Sequence, residues 1–158
     1  MLQDFNGLER LEAVGLGLPV EFSSEQNNPY WNHDKQYALD QCDYVAEVSC
    51  GWCPNQARTG AWAMITSEHP RVWTDVILQG RANGDYWVTS FRLEYTLDGT
   101  NWMRYGYETF PGVNDRNTKN RVTLNPPIKA RAIKIIVESY YRWPCMRFGA
   151  LFINEINE

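Results

Sequence analysis

The feature that most limits the fold of this chain is an alternating segment, WVTSFRLEYTL, at residues 87–97. Its odd-numbered positions, from Trp87 to Leu97, are mainly apolar and aromatic, and its even-numbered positions are mainly polar. Successive side chains of a strand point to opposite faces, so this period of two predicts a strand with one buried and one solvated face. Asp98-Gly99 follows, a dipeptide typical of hairpin turns, so a returning strand is expected after it.

The same period recurs in RAIKIIVES and in MRFGALFIN. The inward-facing positions predicted there are Ile133, Ile135, Val137, Met146, Phe148, Ala150 and Phe152. Shorter strands are predicted at PVEFSS, GAWAMIT and VWTDVILQ, and Pro126-Pro127 is predicted to end the strand RVTL because proline cannot donate a ladder hydrogen bond. About eight strands without intervening helices predict an all-β fold, an eight-stranded antiparallel β-sandwich or jelly roll.

Length and charge narrow the class of protein further. The 158 residues fit one domain, 1–158, that is long enough to bury a real core. A net charge of −4 argues against nucleic-acid binding, which needs a basic surface, and weakens electrostatic docking to anionic membranes. No apolar run is long enough to span a bilayer, so no transmembrane segment is predicted.

The four cysteines leave several interpretations open. Cys50 and Cys53 have the Cys-x-x-Cys spacing of a redox pair or of half a zinc site, with Cys42 and Cys145 elsewhere in the chain. A redox motif is expected at the start of a helix, and no amphipathic helix follows here. Loop disulfides or free thiols are therefore favoured, and their pairing cannot be read from the sequence.

Two long polar stretches, residues 25–60 and 106–119, interrupt the predicted strands. Polar loops of this length in a compact domain are usually functional or disordered. The first stretch contains aromatic side chains, which favours an ordered, ligand-holding loop: Tyr30, Trp31, Tyr37, Tyr44 and Trp52. Motifs of hydrolases, zinc proteases and phosphate-binding loops are missing, and the chain has two histidines, so no enzyme is predicted.

Several motifs in a fixed order resemble the discoidin domain, also called the coagulation-factor type C domain. They are QARTGAW, Gln79-Gly80-Arg81, Trp87-Val88-Thr89-Ser90, Asp98-Gly99, Trp102, Pro127-Ile128 and Ala130-Arg131. The resemblance covers about residues 18–153 and leaves residues 1–17 as an N-terminal extension. It implies a jelly roll and a binding module. Many relatives join their ends through a cysteine at each terminus, and neither end has one here.

The resemblance also implies a binding rim, formed by three loops at one end of the barrel. Here these loops are NNPYWNHD, RANGDYW and YYRWPC. The candidate ligand-binding residues are Tyr30, Trp31, His33, Asp34, Arg81, Asp85, Tyr86, Arg142 and Trp143. Carboxylates, guanidinium groups and indoles suit sugar hydroxyls and the apolar side of a sugar ring, so a glycan or glycoprotein is the favoured ligand. The alternatives are a protein-protein docking module of a larger assembly and phospholipid-membrane binding through the Tyr30-Trp31 tip.

Two further expectations follow from the resemblance. Some relatives hold a structural calcium ion near the rim, and Asp40 and Asp43 lie in the corresponding loop; no other cofactor is expected. The resemblance suggests an extracellular or cell-surface location, and the missing signal-peptide layout leaves the cytoplasm as the alternative. Trp31 has no period-two partner in its polar stretch, so it is expected to be exposed at a loop tip and to act in binding rather than in folding.

Overall fold

The computed structural model describes residues 7–26, 37–42 and 50–155. Within these ranges the chain forms strands and turns but no α-helix. The strands, in chain order, are β1 (Arg10–Glu12), β2 (Val20–Phe22), β3 (Trp62–Gln79), β4 (Trp87–Thr96), β5 (Trp102–Arg104), β6 (Phe110–Pro111), β7 (Asn120–Tyr141) and β8 (Arg147–Ile153).

All strand pairs are antiparallel, and the sheet order is β1-β8-β3-β7-β4-β5, with β2 on β3 and β6 on β4. The long strands β3 and β7 take part in both halves of the sandwich. The first part of β3 lies between β2 and β7, and its last part lies between β7 and β8. This arrangement confirms the predicted all-β, antiparallel jelly-roll sandwich.

The inner faces of β7 and β8 are those that the alternation predicts. Ile133, Ile135 and Val137 are fully buried in the core, and so are the predicted inward positions of β8. The outward Lys134 and Glu138 of β7 are partly solvated. The core therefore forms where these inner faces meet β3 and β4.

Strand β4 departs from strict alternation. The pairing with β7 shifts register on both sides of Ser90, which changes the side to which the following residues point. Val88 is consequently buried, and Trp87 packs against the core from a half-buried position. The strand ends at Thr96, so the side chain of Leu97 is 52% exposed and the prediction that it lies on the buried face is wrong.

Strand β7 continues through Pro126-Pro127 as one element, so the prediction that a strand ends there is wrong. The two prolines nevertheless interrupt the hydrogen-bonded pairing of β7 with β3. Thr123 pairs with Asp75 and Ile128 pairs with Trp73, so the residues between Thr123 and Ile128 have no paired partner in β3. The chain keeps its direction while the ladder is interrupted, because proline lacks the N–H that pairing needs.

The two ends of the domain are held together by strand pairing. Strand β1 pairs with β8, and the N–H of Asn154 donates to the carbonyl oxygen of Glu9. The Glu12 carboxylate accepts hydrogen bonds from the N–H groups of Val14 and Ala150. Part of the N-terminal extension thus belongs to the sheet, and it closes the domain without a terminal disulfide.

Candidate functional site

Two of the three predicted rim loops lie within the described residues, and both lie at the same end of the sandwich. Residues 80–86 connect β3 to β4, and residues 142–146 connect β7 to β8. Gln79 pairs with Arg147 and Trp87 pairs with Tyr141, so the ends of both loops are joined by the sheet. The remaining candidates lie outside the described residues: Tyr30, Trp31, His33, Asp34 and the calcium candidate Asp43.

A segment that was not among the candidates, residues 50–54, lies between these two loops. The N–H of Ala82 donates to the Cys50 carbonyl at 3.0 Å, and the N–H of Trp52 donates to the Met146 carbonyl at 2.9 Å. The Trp143 indole Nε1 donates to the Pro54 carbonyl at 2.9 Å, which leaves Trp143 half-buried. The segment therefore joins the two rim loops into one surface.

The cysteines strengthen this junction. Cys53 forms a disulfide with Cys145, and Cys42 forms one with Cys50. The Cys-x-x-Cys pair of the sequence is thus divided between two disulfides, so the redox and zinc interpretations are wrong and the disulfide alternative is confirmed. The first of these disulfides links residues 50–54 directly to the loop before β8.

Arg81 lies inside its loop. The residue is 7% exposed, and its Nε donates to Asn83 Oδ1 at 2.8 Å. Its guanidinium carbon is 5.2 Å from the centre of the half-buried Tyr86 ring, and burial lowers the pKa of the guanidinium. Asn83 also accepts from the N–H of Cys50 at 3.0 Å, so Arg81 and Asn83 together fix the loop against residues 50–54.

Asp85 is exposed and forms an ion pair with Arg116. The Arg116 Nε to Asp85 Oδ1 distance is 2.8 Å, and both side chains are close to half exposed. A surface pair of this kind contributes little to stability and can be exchanged for a ligand group. The carboxylate can therefore accept hydrogen bonds from a ligand at a small energetic cost.

The Gln79-Gly80 motif at the end of β3 contacts the chain segments next to the rim. The Gln79 side chain donates to the Asn117 carbonyl at 2.7 Å and accepts from the N–H of Asp40 at 2.8 Å. A Cβ on Gly80 would clash with the carbonyl oxygen of Asp115, so only glycine allows this close approach. The buried Arg147 guanidinium donates to the carbonyls of Gly80 and Arg116, at 2.8 and 2.9 Å. The motif thus holds two neighbouring loops in place.

The described part of this end carries an exposed three-residue stack, Trp87, Tyr141 and Arg142, which we call the Tyr141 stack. The Trp87 and Tyr141 rings are 4.8 Å apart and nearly parallel, with an interplanar angle of 15°. The Arg142 guanidinium carbon is 5.2 Å from the centre of the Tyr141 ring. Arg142 is exposed and has a left-handed backbone, with φ of 64°, and Tyr141 is 42% exposed.

Tyr141 was not a sequence candidate. Its position against Trp87 depends on the register of β4 and β7, which the sequence does not give. Its only sequence signal is its place within YYRWPC, beside Arg142 and Trp143.

Asp40, one of the two calcium candidates, forms an ion pair with Lys119. Its Oδ2 is 2.7 Å from the Lys119 ammonium, and its Oδ1 accepts from Gln79 Nε2 at 3.2 Å. The hydrogen bond from Lys119 lowers the pKa of Asp40. No group of three His, Cys, Asp or Glu side chains gathers anywhere in residues 7–26, 37–42 and 50–155. Calcium takes six to eight oxygen ligands, which include backbone carbonyls, and Asp43 lies outside the described residues, so a calcium ion at Asp40 and Asp43 stays a prediction.

In the part of the chain that the structure describes, no helix is long and apolar enough to cross a membrane.

Comparison with known proteins agrees with this geometry. Discoidin-2 of Dictyostelium discoideum is 36% identical over 90 residues, which are 56% of this chain and 35% of that protein. The solved structure of recombinant discoidin II of Dictyostelium discoideum superposes with a TM-score of 0.86 at 26% identity, over 93% of this chain and 60% of that chain. The chain thus spans about a third of the length of the curated discoidins it matches.

A more distant structure shares the fold alone. The family 32 CBM from C. perfringens NanJ, solved in complex with galactose, has a TM-score of 0.67 at 14% identity, over 90% of this chain and 99% of that one. The sequence model of the F5/8 type C domain matches residues 19–149. The resemblance to discoidin domains is therefore confirmed, and the chain belongs to the F5/8 type C domain family.

Proposed function

We propose that this chain is a non-catalytic binding module that recognises glycans through the loops at one end of the sandwich. Domains of the F5/8 type C family are carbohydrate- or lipid-binding modules. The observation that supports a glycan here is the Tyr141 stack, an exposed aromatic and guanidinium surface beside the loop that carries the Asp85 carboxylate.

The chemistry of the stack suits a sugar. Trp87 stacks on the Tyr141 ring, the Arg142 guanidinium carbon is 5.2 Å from the ring centre, and Tyr141 is 42% exposed, so part of the ring is open to a ligand. The apolar C–H face of a pyranose packs on such a ring, and a guanidinium fork donates to neighbouring hydroxyls. Asp85 supplies acceptor oxygens on the adjacent loop once Arg116 is displaced. Aromatic, donor and acceptor groups are the set that orients a sugar in a shallow site.

The rigidity of the rim supports the same proposal. The disulfide between Cys53 and Cys145 and the indole hydrogen bond of Trp143 fix the loop that carries Arg142. A loop that is already ordered loses little conformational entropy when it binds, so more of the contact energy appears as affinity. This matters for sugars, whose individual contacts are weak.

A glycan array run beside liposome sedimentation tests the proposal against its two alternatives. We expect glycan binding by the wild-type chain and at least tenfold weaker binding by Tyr141→Ala, because the ring face is lost. Tyr107→Ala is the matched control, since Tyr107 is a 97% exposed tyrosine outside the rim loops. Binding only to phosphatidylserine vesicles would show that the ligand is a membrane rather than a glycan. No signal in either assay would favour a protein partner.

We also propose an extracellular or cell-surface location. All four cysteines form disulfides, and structural disulfides persist in oxidising compartments and are rare in the cytosol. Thiol labelling of the protein in unreduced extracts of its native source is expected to modify no cysteine. Labelling of two or four cysteines would favour the cytoplasm instead.

A further inference from the structure

A second surface with the chemistry of a binding site lies on the outer face of the sheet. It is a groove with a volume of about 360 Å³, formed by β2, β3, β7 and the hairpin between β4 and β5. Its lining includes Glu21, Trp62, Met64, Trp102, Arg131 and Lys134, and we call it the Lys134 groove.

Strand register explains why these residues meet. Glu21 of β2 pairs with Met64 of β3, and Met64 pairs with Lys134 of β7, so the three form one row across the sheet. Trp102 is opposite Thr96 at the far end of β4. Strand β4 runs from Trp87 at the rim to Thr96, a path of about 30 Å at roughly 3.3 Å per residue. The groove is therefore separate from the Tyr141 stack.

Lys134 is held between two indoles. Its ammonium nitrogen is 4.5 Å from the centre of the Trp62 ring and 4.1 Å from that of Trp102. Within residues 7–26, 37–42 and 50–155 it forms no hydrogen bond or ion pair. The faces of the two indole rings attract the positive charge. The ammonium also carries three N–H donors, which form hydrogen bonds with oxygen acceptors. Those donors are available to a ligand.

Arg131 adds a second cation of the same kind. Its Nε is buried and has no hydrogen-bond partner, and it forms no ion pair with a described carboxylate. A buried donor without an acceptor is costly and rare in folded proteins. The lining of the groove thus contains two cations that have no ion-pair partner among the described residues and one carboxylate, Glu21. The local charge is positive, although the net charge of the chain is −4. An anionic ligand in the groove would be attracted by both cations.

The remaining walls indicate which anion fits. Trp62, Trp102 and Met64 are half-buried apolar side chains around a floor that contains Ala132, which is 4% exposed. We propose that the Lys134 groove binds an acidic saccharide, with a sugar carboxylate at Lys134 and Arg131 and the sugar ring against an indole. Glu21 accepts from the sugar hydroxyls.

The position of Glu21 favours a sugar over an acidic peptide. The carboxylate side chains of an acidic peptide offer no hydroxyl donor to Glu21, so they would face it only with like charge. A uronate residue carries one carboxylate and several hydroxyls, so it can satisfy the two cations and donate to Glu21 at the same time. This inference is independent of the glycan proposed for the rim, because none of its residues belongs to the Tyr141 stack.

Titration with tetragalacturonate, followed by the indole N–H resonances in NMR spectra, tests the assignment. We expect saturable shifts of the Trp62 and Trp102 indoles, unmoved Trp143, and no binding of neutral cellotetraose at equal concentration. Lys134→Gln is expected to weaken tetragalacturonate binding at least tenfold. Lys129→Gln, which removes one charge from an exposed position on the same strand, is expected to change it less than twofold.

Three results would overturn the proposal. The first is the absence of saturable tetragalacturonate binding. The second is an equal affinity of Lys134→Gln and wild type, with the melting midpoint showing that the variant is folded. The third is tighter binding of a poly-glutamate peptide than of tetragalacturonate, which would make the groove a site for acidic protein segments.

Discussion

At the scale of single residues, Asp75 of β3 connects its strand to β1 and β7. It is the one acidic side chain buried in the described part of the chain, with 1% exposure. Its Oδ2 is 2.8 Å from Arg121 Nε and accepts from Thr123 Oγ1 at 3.0 Å, and its Oδ1 is 3.9 Å from Arg10 Nε. Burial alone would raise the pKa of Asp75, but hydrogen bonds from Arg121, Thr74 and Thr123 outweigh it and lower the pKa.

Asp75→Asn is expected to lower the free energy of unfolding at pH 7 by about 1–3 kcal/mol, because a charged hydrogen-bond acceptor is lost from a buried position. The folded-state pKa lies below the unfolded value, so the stabilisation is present above about pH 4 and is lost as the pH falls through the folded pKa. Urea unfolding at pH 7 and at pH 3 measures both effects. Equal acid destabilisation of wild type and variant would show that Asp75 is not responsible.

Trp31 gives a second prediction at this scale, and it lies outside the described residues. Its sequence context predicts an exposed loop tip, so Trp31→Ala should change the free energy of unfolding by less than about 0.5 kcal/mol. Ligand binding should weaken by about 1–3 kcal/mol, the range of an aromatic anchor. Chemical denaturation and ligand titration of the same variant measure the two quantities. A loss of stability of about 3 kcal/mol would instead indicate a buried indole and a loop folded inward.

At the scale of elements, the disulfides differ in what they connect. Cys53 and Cys145 are 92 residues apart and join the segment before β3 to the loop before β8, whereas Cys42 and Cys50 are only 8 residues apart in the sequence. A cross-link restricts the unfolded chain more when the loop that it closes is longer. The two bonds should therefore contribute unequally to stability, and only the first bridges the rim.

The Cys53→Ala/Cys145→Ala double variant is expected to lose about 2 kcal/mol more stability than Cys42→Ala/Cys50→Ala, from the dependence of loop entropy on length. Guanidinium unfolding without reductant compares the two variants with wild type. The first variant should also bind the rim ligand more weakly, because the loop that carries Arg142 is released. Equal losses from both variants would mean that loop closure does not govern their effect.

The elements also show what the sequence can predict. The inner face of β7 follows from its period of two, because Ile133, Ile135 and Val137 must share one face of any strand. The register shift beside Ser90 depends on the partner strand, so the burial of Val88 could not be read from β4 alone. The same limit applies to Tyr141, whose contact with Trp87 is a cross-strand contact. The pairing of the four cysteines likewise could not be predicted without the fold.

At the scale of the whole molecule, the two candidate binding surfaces occupy different parts of β4, because Lys134 pairs with Glu94, about 23 Å along the strand from Trp87 at roughly 3.3 Å per residue. The rim combines an aromatic stack with loops held by disulfides, and the Lys134 groove combines two indoles with two cations. Strand pairing between β1 and β8 closes the domain on its own ends. Because the two surfaces share no residue, a ligand can bind to one of them without contacting the other.

The calcium expectation is also tested on the whole molecule. Because Lys119 already neutralises the Asp40 carboxylate, we expect the same melting midpoint in EDTA and in millimolar calcium. An ion that binds only the folded state would raise the midpoint as its concentration increases. A calcium-dependent rise of several degrees would show a bound ion, with ligands that include residues outside the described part of the chain.

The central claim is that the loops at one end of the sandwich bind a glycan, and mapping by NMR tests it most directly. Two-dimensional amide spectra of the 18.4 kDa chain are recorded during titration with the strongest neutral glycan of the array. We predict that the largest shifts fall on residues 81–87 and 141–145, with little change at Trp62, Trp102 and Lys134. Shifts confined to the sheet face, or shifts of the rim loops with phosphatidylserine and with no glycan, would contradict the account.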